Sequence, residues 1–90
     1  MKLDDSIFNW LQIAVVYEAR PEDLSAKETA EFFRQILKED HNISQIRYER
    51  DPFQYTVIFN KDGKEEKKTF DSMFIDKLIE DIEKEPKYQI

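Results

Sequence analysis

Residues 43–70, "ISQIRYERDPFQYTVIFNKDGKEEKKTF", decide the fold. Apolar residues recur there at every second position, the spacing of strands that bury one face. The alternating residues are Ile46, Tyr48, Tyr55, Val57 and Phe59. The Asp-Gly pair at 62–63 is a two-residue turn signal, so the chain after it is expected to return as a third strand ending at Phe70. The stretch therefore predicts a three-stranded antiparallel meander.

The segment before the first turn, "SIFNWLQIAVVYEA" at residues 6–19, favours a helix. Its apolar positions follow helical spacing. These positions are Ile7, Trp10, Leu11, Ala14 and Tyr17. Ile13, Val15 and Tyr17 also alternate as in a strand, which leaves a strand open as the alternative for residues 7–19. Asp4, Asp5 and Ser6 are candidate N-caps, and Pro21 is expected to end the helix.

A second helix is predicted from a capping box formed by Ser25 and Glu28. One apolar stripe follows it, made of Ala26, Ala30, Phe33, Ile36 and Leu37. Asn42 suits the left-handed residue that closes a helix. We therefore interpret His41, the only histidine, as a helix-end residue that favours the helix dipole when charged, and expect no metal or acid–base role for it.

A last helix is expected to begin at Asp71 or Ser72 and to stop at Pro86. Its apolar stripe is Ile75, Leu78, Ile79 and Ile82, and its polar side is Asp76, Glu80 and Glu83. The sequence thus predicts one α+β domain over residues 1–90, in the order α-α-β-β-β-α. The meander carries the helices on one face.

Composition excludes several classes of function. The chain has no cysteine, one glycine and one histidine. These counts exclude disulfides and thiolate chemistry, and they make a glycine-rich phosphate loop physically implausible. The paired carboxylates are contiguous in sequence, so they diverge in a helix or strand rather than face each other. We expect no catalytic site, no cofactor and no metal, and hence not an enzyme.

Several features of the sequence predict a cytoplasmic location. Net charge is −6 and the first ten residues, "MKLDDSIFNW", lack the basic start of a signal peptide. No apolar run approaches the length needed to span a membrane. Absence of cysteine favours a reducing compartment. We expect a cytoplasmic protein that does not associate with membranes.

Four aromatic residues are left over or ambiguous once the stripes are assigned. They are Trp10, Phe32, Phe53 and Phe74. Exposed aromatics are favoured anchors of protein interfaces, although a small domain also needs aromatics for its core. The main hypothesis is therefore a non-catalytic protein–protein interaction or regulatory module. Its partner is another protein or a second copy in a homodimer.

The alternative hypothesis is nucleic-acid binding by the sheet. Residues 43–70 carry six basic and five acidic side chains, whereas both flanks are acidic. The basic candidates are Arg47, Arg50, Lys64, Lys67 and Lys68. From Ser25 onward the predicted order resembles that of a double-stranded RNA-binding domain, which implies backbone contacts to RNA. However, the first turn, "RDPF", lacks the family's Gly and His, and the last helix opens with the acidic "DSMFID" instead of lysines.

Overall fold

The computed structural model describes residues 1–84, except the side chains at positions 78, 79 and 82–84. The elements are α1 (Leu3–Ala19), α2 (Leu24–His41), β1 (Ile43–Arg50), β2 (Gln54–Lys61), β3 (Lys64–Asp71) and α3 (Ser72–Lys84). The helices pack against one antiparallel sheet with strand order β1-β2-β3. The predicted α+β class and the order α-α-β-β-β-α are confirmed.

Residues 3–19 form a helix, so the strand alternative for this segment is wrong. The predicted caps are also wrong, because the N-cap is Lys2, which makes no side-chain cap hydrogen bond. Asp4 and Asp5 lie in the first turn, where their charges favour the positive end of the helix dipole. The helix ends at Ala19 because Pro21 disfavours α backbone at the preceding residue.

Asp23 caps α2, two residues earlier than the predicted Ser25. Its Oδ1 accepts a hydrogen bond from the Ala26 backbone N–H at 3.1 Å. A capping box needs an extended residue at its first position, and here Ser25 is already helical. At the other end Asn42 is left-handed, with φ of 58°, which confirms the predicted stop directly after His41.

The β2–β3 hairpin turns on two residues, as predicted. Asp62 and Gly63 both have positive φ, 54° and 83°, and Lys61 pairs with Lys64 across them. Positive φ at both central positions matches the right-handed twist of the strands. The β1–β2 turn is different, because Asp51 Oδ1 accepts hydrogen bonds from the backbone N–H groups of Phe53 and Gln54, each at 2.8 Å.

The core lies between the sheet and α1, with contributions from α2 and α3. Its buried members are Ile7, Trp10, Leu11, Val15, Leu37, Ile43, Tyr55, Val57, Phe59 and Ile75. The alternation on β2 is confirmed, because Tyr55, Val57 and Phe59 all face the helices. Ile58 points to the opposite face, yet only 3% of it is exposed. Its cross-strand neighbours are Arg47 and Lys67, whose aliphatic stems can cover it.

The last helix begins at Ser72, as predicted, and its Ile75 is fully buried. Asp76 was expected on the solvated side but is partly buried, because it accepts a hydrogen bond from the Tyr55 hydroxyl at 2.6 Å. The remaining stripe side chains, at positions 78, 79 and 82, and the predicted stop at Pro86 lie outside the described part of the structure.

Candidate functional site

The four aromatics predicted to bind a partner lie in three different settings. Trp10 is only 7% exposed and belongs to the core, so the expectation that it is an exposed anchor is wrong. It lies on the helical stripe that packs against the sheet, and Tyr48 meets its ring edge-on at 6.0 Å between centroids. Phe32 is 60% exposed on α2 and packs only against its neighbour Phe33 among the described aromatic pairs. Phe53 and Phe74 lie together at one end of the sheet.

Phe53, Met73 and Phe74 form what we call the apolar patch. They are 81%, 77% and 67% exposed. Phe53 lies in the β1–β2 turn, and the other two open α3. The Ser72 N–H donates to the Phe53 carbonyl at 3.1 Å, continuing the β2–β3 ladder by one step. The two chain segments that carry the patch are therefore joined through their backbones.

Two aspartates hold these segments in shape. Asp51 accepts from two backbone N–H groups of its own turn, and Asp71 Oδ1 accepts from the Met73 N–H at 2.8 Å. Such local aspartate turns fix the backbone without help from distant side chains. The patch is thus exposed but rests on an ordered backbone, so binding costs less conformational entropy than on a mobile loop.

The surroundings of the patch are mainly acidic. Asp51 and Asp71 lie on its two segments, and both are exposed. Met73 also lines a shallow depression of about 370 Å³ with Lys77, Glu80 and Asp81. These four carboxylates accompany Lys77, and Arg50, which precedes Asp51, lies 3.7 Å from Asp76 Oδ2. The patch presents apolar surface within a negative rim.

Sequence reasoning found Phe53 and Phe74 but missed Met73. The signal was present in the run Met73-Phe74-Ile75, since successive helical residues point about 100° apart. Three adjacent apolar residues cannot all face the core from one helix. Because Ile75 faces the core, Met73 and Phe74 are left toward solvent.

The five residues of the nucleic-acid hypothesis do not share one surface. Arg47 and Lys67 flank Ile58 on the face away from the helices. On the helix side, Lys68 Nζ pairs with Asp4 Oδ1 of α1 at 2.5 Å, and Arg50 Nη2 lies 3.7 Å from Asp76 Oδ2. Lys64 lies at the far hairpin turn. The structure therefore divides this set and pairs two of its members with carboxylates, and the hypothesis itself stays a prediction.

A cleft of about 360 Å³ lies at the end of α1, next to the core. It is lined by Val15, Glu18, Ala19, Tyr48, Arg50 and Tyr55. The Tyr48 hydroxyl donates to Glu18 Oε2, and the Tyr55 hydroxyl donates to Asp76 Oδ1. Arg50 lies 5.5 Å over the Tyr55 ring, in cation–π range. Burial, followed by the hydrogen bond to Asp76, raises the pKa of Tyr55 to about 12.

This polar network is satisfied by its own members. Each hydroxyl has a carboxylate acceptor, and the guanidinium has both a ring and a carboxylate. A high pKa keeps Tyr55 protonated at neutral pH, where it donates a hydrogen bond and does not act as a base. The arrangement is that of a structural tie between the sheet, α1 and α3.

His41 occupies the helix end expected for it. Its Nε2 lies 2.9 Å from the Met1 carbonyl oxygen, which it can reach as a donor. Among the described side chains, no three of His, Cys, Asp or Glu gather as a metal site. The histidine therefore connects the start of α1 to the end of α2.

Comparisons of the chain with protein-family models, with curated proteins and with solved structures gave no match. The order of elements from α2 onward, α-β-β-β-α, is the order on which the resemblance to double-stranded RNA-binding domains was based, and the comparisons add no support to it. Within the part of the chain that is described, no helix is long and apolar enough to cross a membrane.

Proposed function

We propose that this protein is a non-catalytic interaction module that binds another protein through the apolar patch. The supporting observation is that three large apolar side chains, Phe53, Met73 and Phe74, are each exposed on two joined chain segments held by four hydrogen bonds. Interface energy is concentrated in such aromatic anchors at the centre of a contact. Covering the patch removes apolar surface that otherwise remains in water.

Charge around the patch specifies the chemistry of the partner. The rim carboxylates Asp51, Asp71, Glu80 and Asp81 favour a partner surface with an apolar centre and lysines or arginines around it. A two-fold homodimer through the same patch would bring the acidic rims of two copies together. Each copy carries a net charge of −6, so this arrangement is repulsive. A basic protein partner is therefore preferred over a second copy.

The proposal includes a cytoplasmic location and no catalysis. The absence of cysteine in the sequence suits a reducing compartment. The described polar cluster nearest the core, around Tyr55, already pairs its hydroxyls with carboxylates, and a structural role is sufficient to explain it.

Site-specific photocrosslinking tests the proposal. Benzoylphenylalanine is placed at position 53, or at position 32 as an aromatic control on the exposed face of α2, and irradiated in nuclease-treated lysate of the source cells. We expect a discrete protein adduct from position 53 that is absent from position 32 and is lost in the Phe74→Asp background. The captured protein is then purified and titrated against wild-type and Phe74→Asp protein by calorimetry.

Three results would contradict the proposal. One is the absence of any adduct specific to position 53, and another is equal calorimetric binding of wild type and Phe74→Asp. The third is crosslinking to a second copy of this chain, which would replace the basic partner with a homodimer.

The nucleic-acid alternative is tested separately by titrating labelled double-stranded RNA at low salt. Affinity that falls steeply with salt and weakens on Lys67→Glu would favour it. No salt-sensitive binding would refute it.

A further inference from the structure

Strand β1 has one free edge. In the order β1-β2-β3 it pairs only with β2, and no backbone hydrogen bond within residues 1–84 joins its other side to another element. Unpaired edges carry N–H and C=O groups that can accept an added strand. Only alternate residues of β1 direct these groups outward.

The hydrogen bond that closes the β1–β2 turn shows which backbone groups of β1 face the free edge. The Asp51 N–H donates to the Gln54 carbonyl at 3.0 Å, and 51 and 54 follow the β1–β2 register. Hydrogen-bonded pairs recur at every second position of an antiparallel ladder. Odd-numbered residues of β1 therefore bond β2, namely Arg47 with Ile58 and Glu49 with Thr56. The backbone groups of Ile46, Tyr48 and Arg50 consequently point outward.

The side chains of Ile46 and Tyr48 lie on the helix side of the sheet, next to a groove. Two adjoining depressions of about 490 and 360 Å³ share a floor of Trp10, Ala14 and Tyr17 from α1. β1 forms one wall through Ile46, Arg47 and Tyr48. The opposite wall is α2, through Lys27, Ala30, Glu31 and Arg34. The groove thus runs between a free strand edge and a helix.

Spacing fits one extended chain in this groove. A strand added to β1 lies about 4.8 Å outside it, which places it over the shared floor. In an antiparallel addition, residues that exchange hydrogen bonds with Ile46 and Tyr48 put their side chains on the same face as those residues. These side chains contact Trp10, Ala14 and Tyr17, so they should be apolar. The alternate side chains lie beside Arg47 on the outer face.

The charge of the groove favours an acidic occupant. Three cations border it, Lys27 and Arg34 on α2 and Arg47 on the outer face of β1, and none of them makes a salt bridge within the described residues. Two carboxylates also line it, Glu18 and Glu31, which leaves an excess of one positive charge. A positive excess is notable in a protein of net charge −6. The two surfaces therefore have opposite signs, since the rim of the apolar patch is negative.

The other free edge, on β3, is built differently. Its sequence "KEEKKTFD" has six charged residues of eight, whereas β1, "ISQIRYER", has three. Dense charge on an edge strand opposes pairing with other chains. The β3 edge is thus protected from strand addition more strongly than the β1 edge.

We propose that the β1 edge and the groove bind an extended segment of a partner protein as a fourth strand, with apolar residues at alternate positions and acidic residues between them. This site is separate from the apolar patch and does not depend on it.

The test is a titration of the ¹⁵N-labelled protein with the capped peptide Glu-Val-Glu-Ile-Glu-Val-Glu, followed by NMR and amide hydrogen exchange. In the free protein, the amides of Ile46 and Tyr48 should exchange fast and that of Arg47 slowly. Saturation with peptide should slow Ile46 and Tyr48 by at least about tenfold as they gain acceptors. Two matched peptides serve as controls, one N-methylated at its valines and isoleucine and one with lysine in place of glutamate.

Charge variants test the wall of the groove. Arg47→Glu should weaken the acidic peptide by about tenfold and favour the lysine peptide, because the acidic side chains of the added strand lie beside Arg47. Lys38→Glu makes the same charge change on the exposed face of α2 outside the groove and should have little effect. Ala14→Lys should block the floor, with circular dichroism checking its fold.

Several outcomes would overturn the proposal. They are slow exchange of Ile46 and Tyr48 in the free protein, no saturable shift up to about 1 mM peptide, equal binding of the N-methylated peptide, or shifts confined to the apolar patch. Binding that persists in Phe74→Asp supports the site even where the proposed function of the patch fails.

Discussion

Removal of one hydroxyl, in Tyr55→Phe, should destabilise the protein and loosen the start of α3. The ring is fully buried and keeps its packing as phenylalanine, including the edge contact with Tyr48 at 5.9 Å between centroids. What is lost is the 2.6 Å hydrogen bond to Asp76. Asp76 lies two residues after Phe74, so this bond fixes the helical turn that carries the apolar patch.

A hydrogen bond to a charged group contributes about 1.5–3 kcal/mol. The Asp76 side chain is 29% exposed, so water can replace part of the lost donor. We therefore expect the lower end of this range, about 1.5 kcal/mol. The pKa of Tyr55, raised from 10.0 to about 12 by burial and by the hydrogen bond to Asp76, reports a different quantity, the cost of ionising this hydroxyl in the folded protein. Two units correspond to about 2.7 kcal/mol between protonated and ionised tyrosine, and burial supplies part of it.

The pH dependence has a definite sign. The folded-state pKa lies above the unfolded value, so this stability is fully present below pH 10 and is lost as pH rises toward about 12. The free energy of unfolding of wild type should therefore fall more steeply over this range than that of Tyr55→Phe. Urea denaturation followed by Trp10 fluorescence, at pH 7 and at steps above pH 10, measures both quantities.

Tyr17→Phe is the matched control, because the Tyr17 hydroxyl makes no hydrogen bond among those of the described residues. A double-mutant cycle with Asp76→Asn isolates the pair, and we expect a coupling of about 1 kcal/mol. The reasoning is refuted if Tyr55→Phe is as stable as wild type at pH 7 or shows the same alkaline loss.

Five further variants test four single features by urea denaturation. Asp23→Ala should lower the free energy of unfolding by about 1 kcal/mol, whereas Ser25→Ala should change it by less than about 0.5 kcal/mol. The opposite result would support the capping box of Ser25 and Glu28 that the sequence predicts. Ser6→Ala should raise the free energy of unfolding by about 0.5–1 kcal/mol, because the buried Ser6 hydroxyl has no hydrogen-bond partner among the described residues and alanine is the better helix former. A lower stability of this variant would show that the hydroxyl does have a hydrogen-bond partner. Gly63→Ala should cost about 1 kcal/mol from its φ of 83° alone, since a Cβ there meets nothing within 4 Å, and an unchanged midpoint would contradict this. Ile58→Ala should cost about 2 kcal/mol despite facing away from the helices, and a change below about 0.5 would show that the stems of Arg47 and Lys67 do not cover it.

Most of the fold follows from local patterns in the sequence. The period of two across residues 46–59 and the Asp-Gly turn are sufficient for the meander, because each expresses a local backbone preference together with burial of one face. The N-cap residues of the first two helices were harder to predict. Ser25 and Glu28 have capping-box spacing, but Asp23 lies two residues upstream and accepts from the Ala26 N–H. Spacing alone cannot choose between two polar residues that both suit the position.

The candidate sites depend more on tertiary packing. Exposure of Phe53 and Phe74 was predicted, whereas the burial of Trp10 depends on α1 packing between the sheet and α2, which a helical stripe leaves open. The sequence places Asp76 on the polar side of α3, yet its side chain is partly buried because it accepts a hydrogen bond from the Tyr55 hydroxyl. The groove was not predicted, because its walls come from α2 and β1 and its floor from α1. No stretch of sequence contains all three.

The two proposed surfaces differ in both sign and geometry, and this decides how they relate. The apolar patch presents three exposed apolar side chains near carboxylates, whereas the groove offers backbone hydrogen bonds and an excess of one positive charge. An extended acidic segment that satisfies the groove is repelled by the rim of the patch. One short segment therefore cannot serve both surfaces, and a chain with both is suited to hold two different partners. Tyr48 and Tyr55 lie between the surfaces in ring contact, and each donates to a carboxylate of a different helix. If the tyrosine pair does not couple the two surfaces, Phe74→Asp combined with Arg47→Glu should reduce the two affinities independently. A departure from additivity greater than about 0.5 kcal/mol would show that the tyrosine pair couples the surfaces.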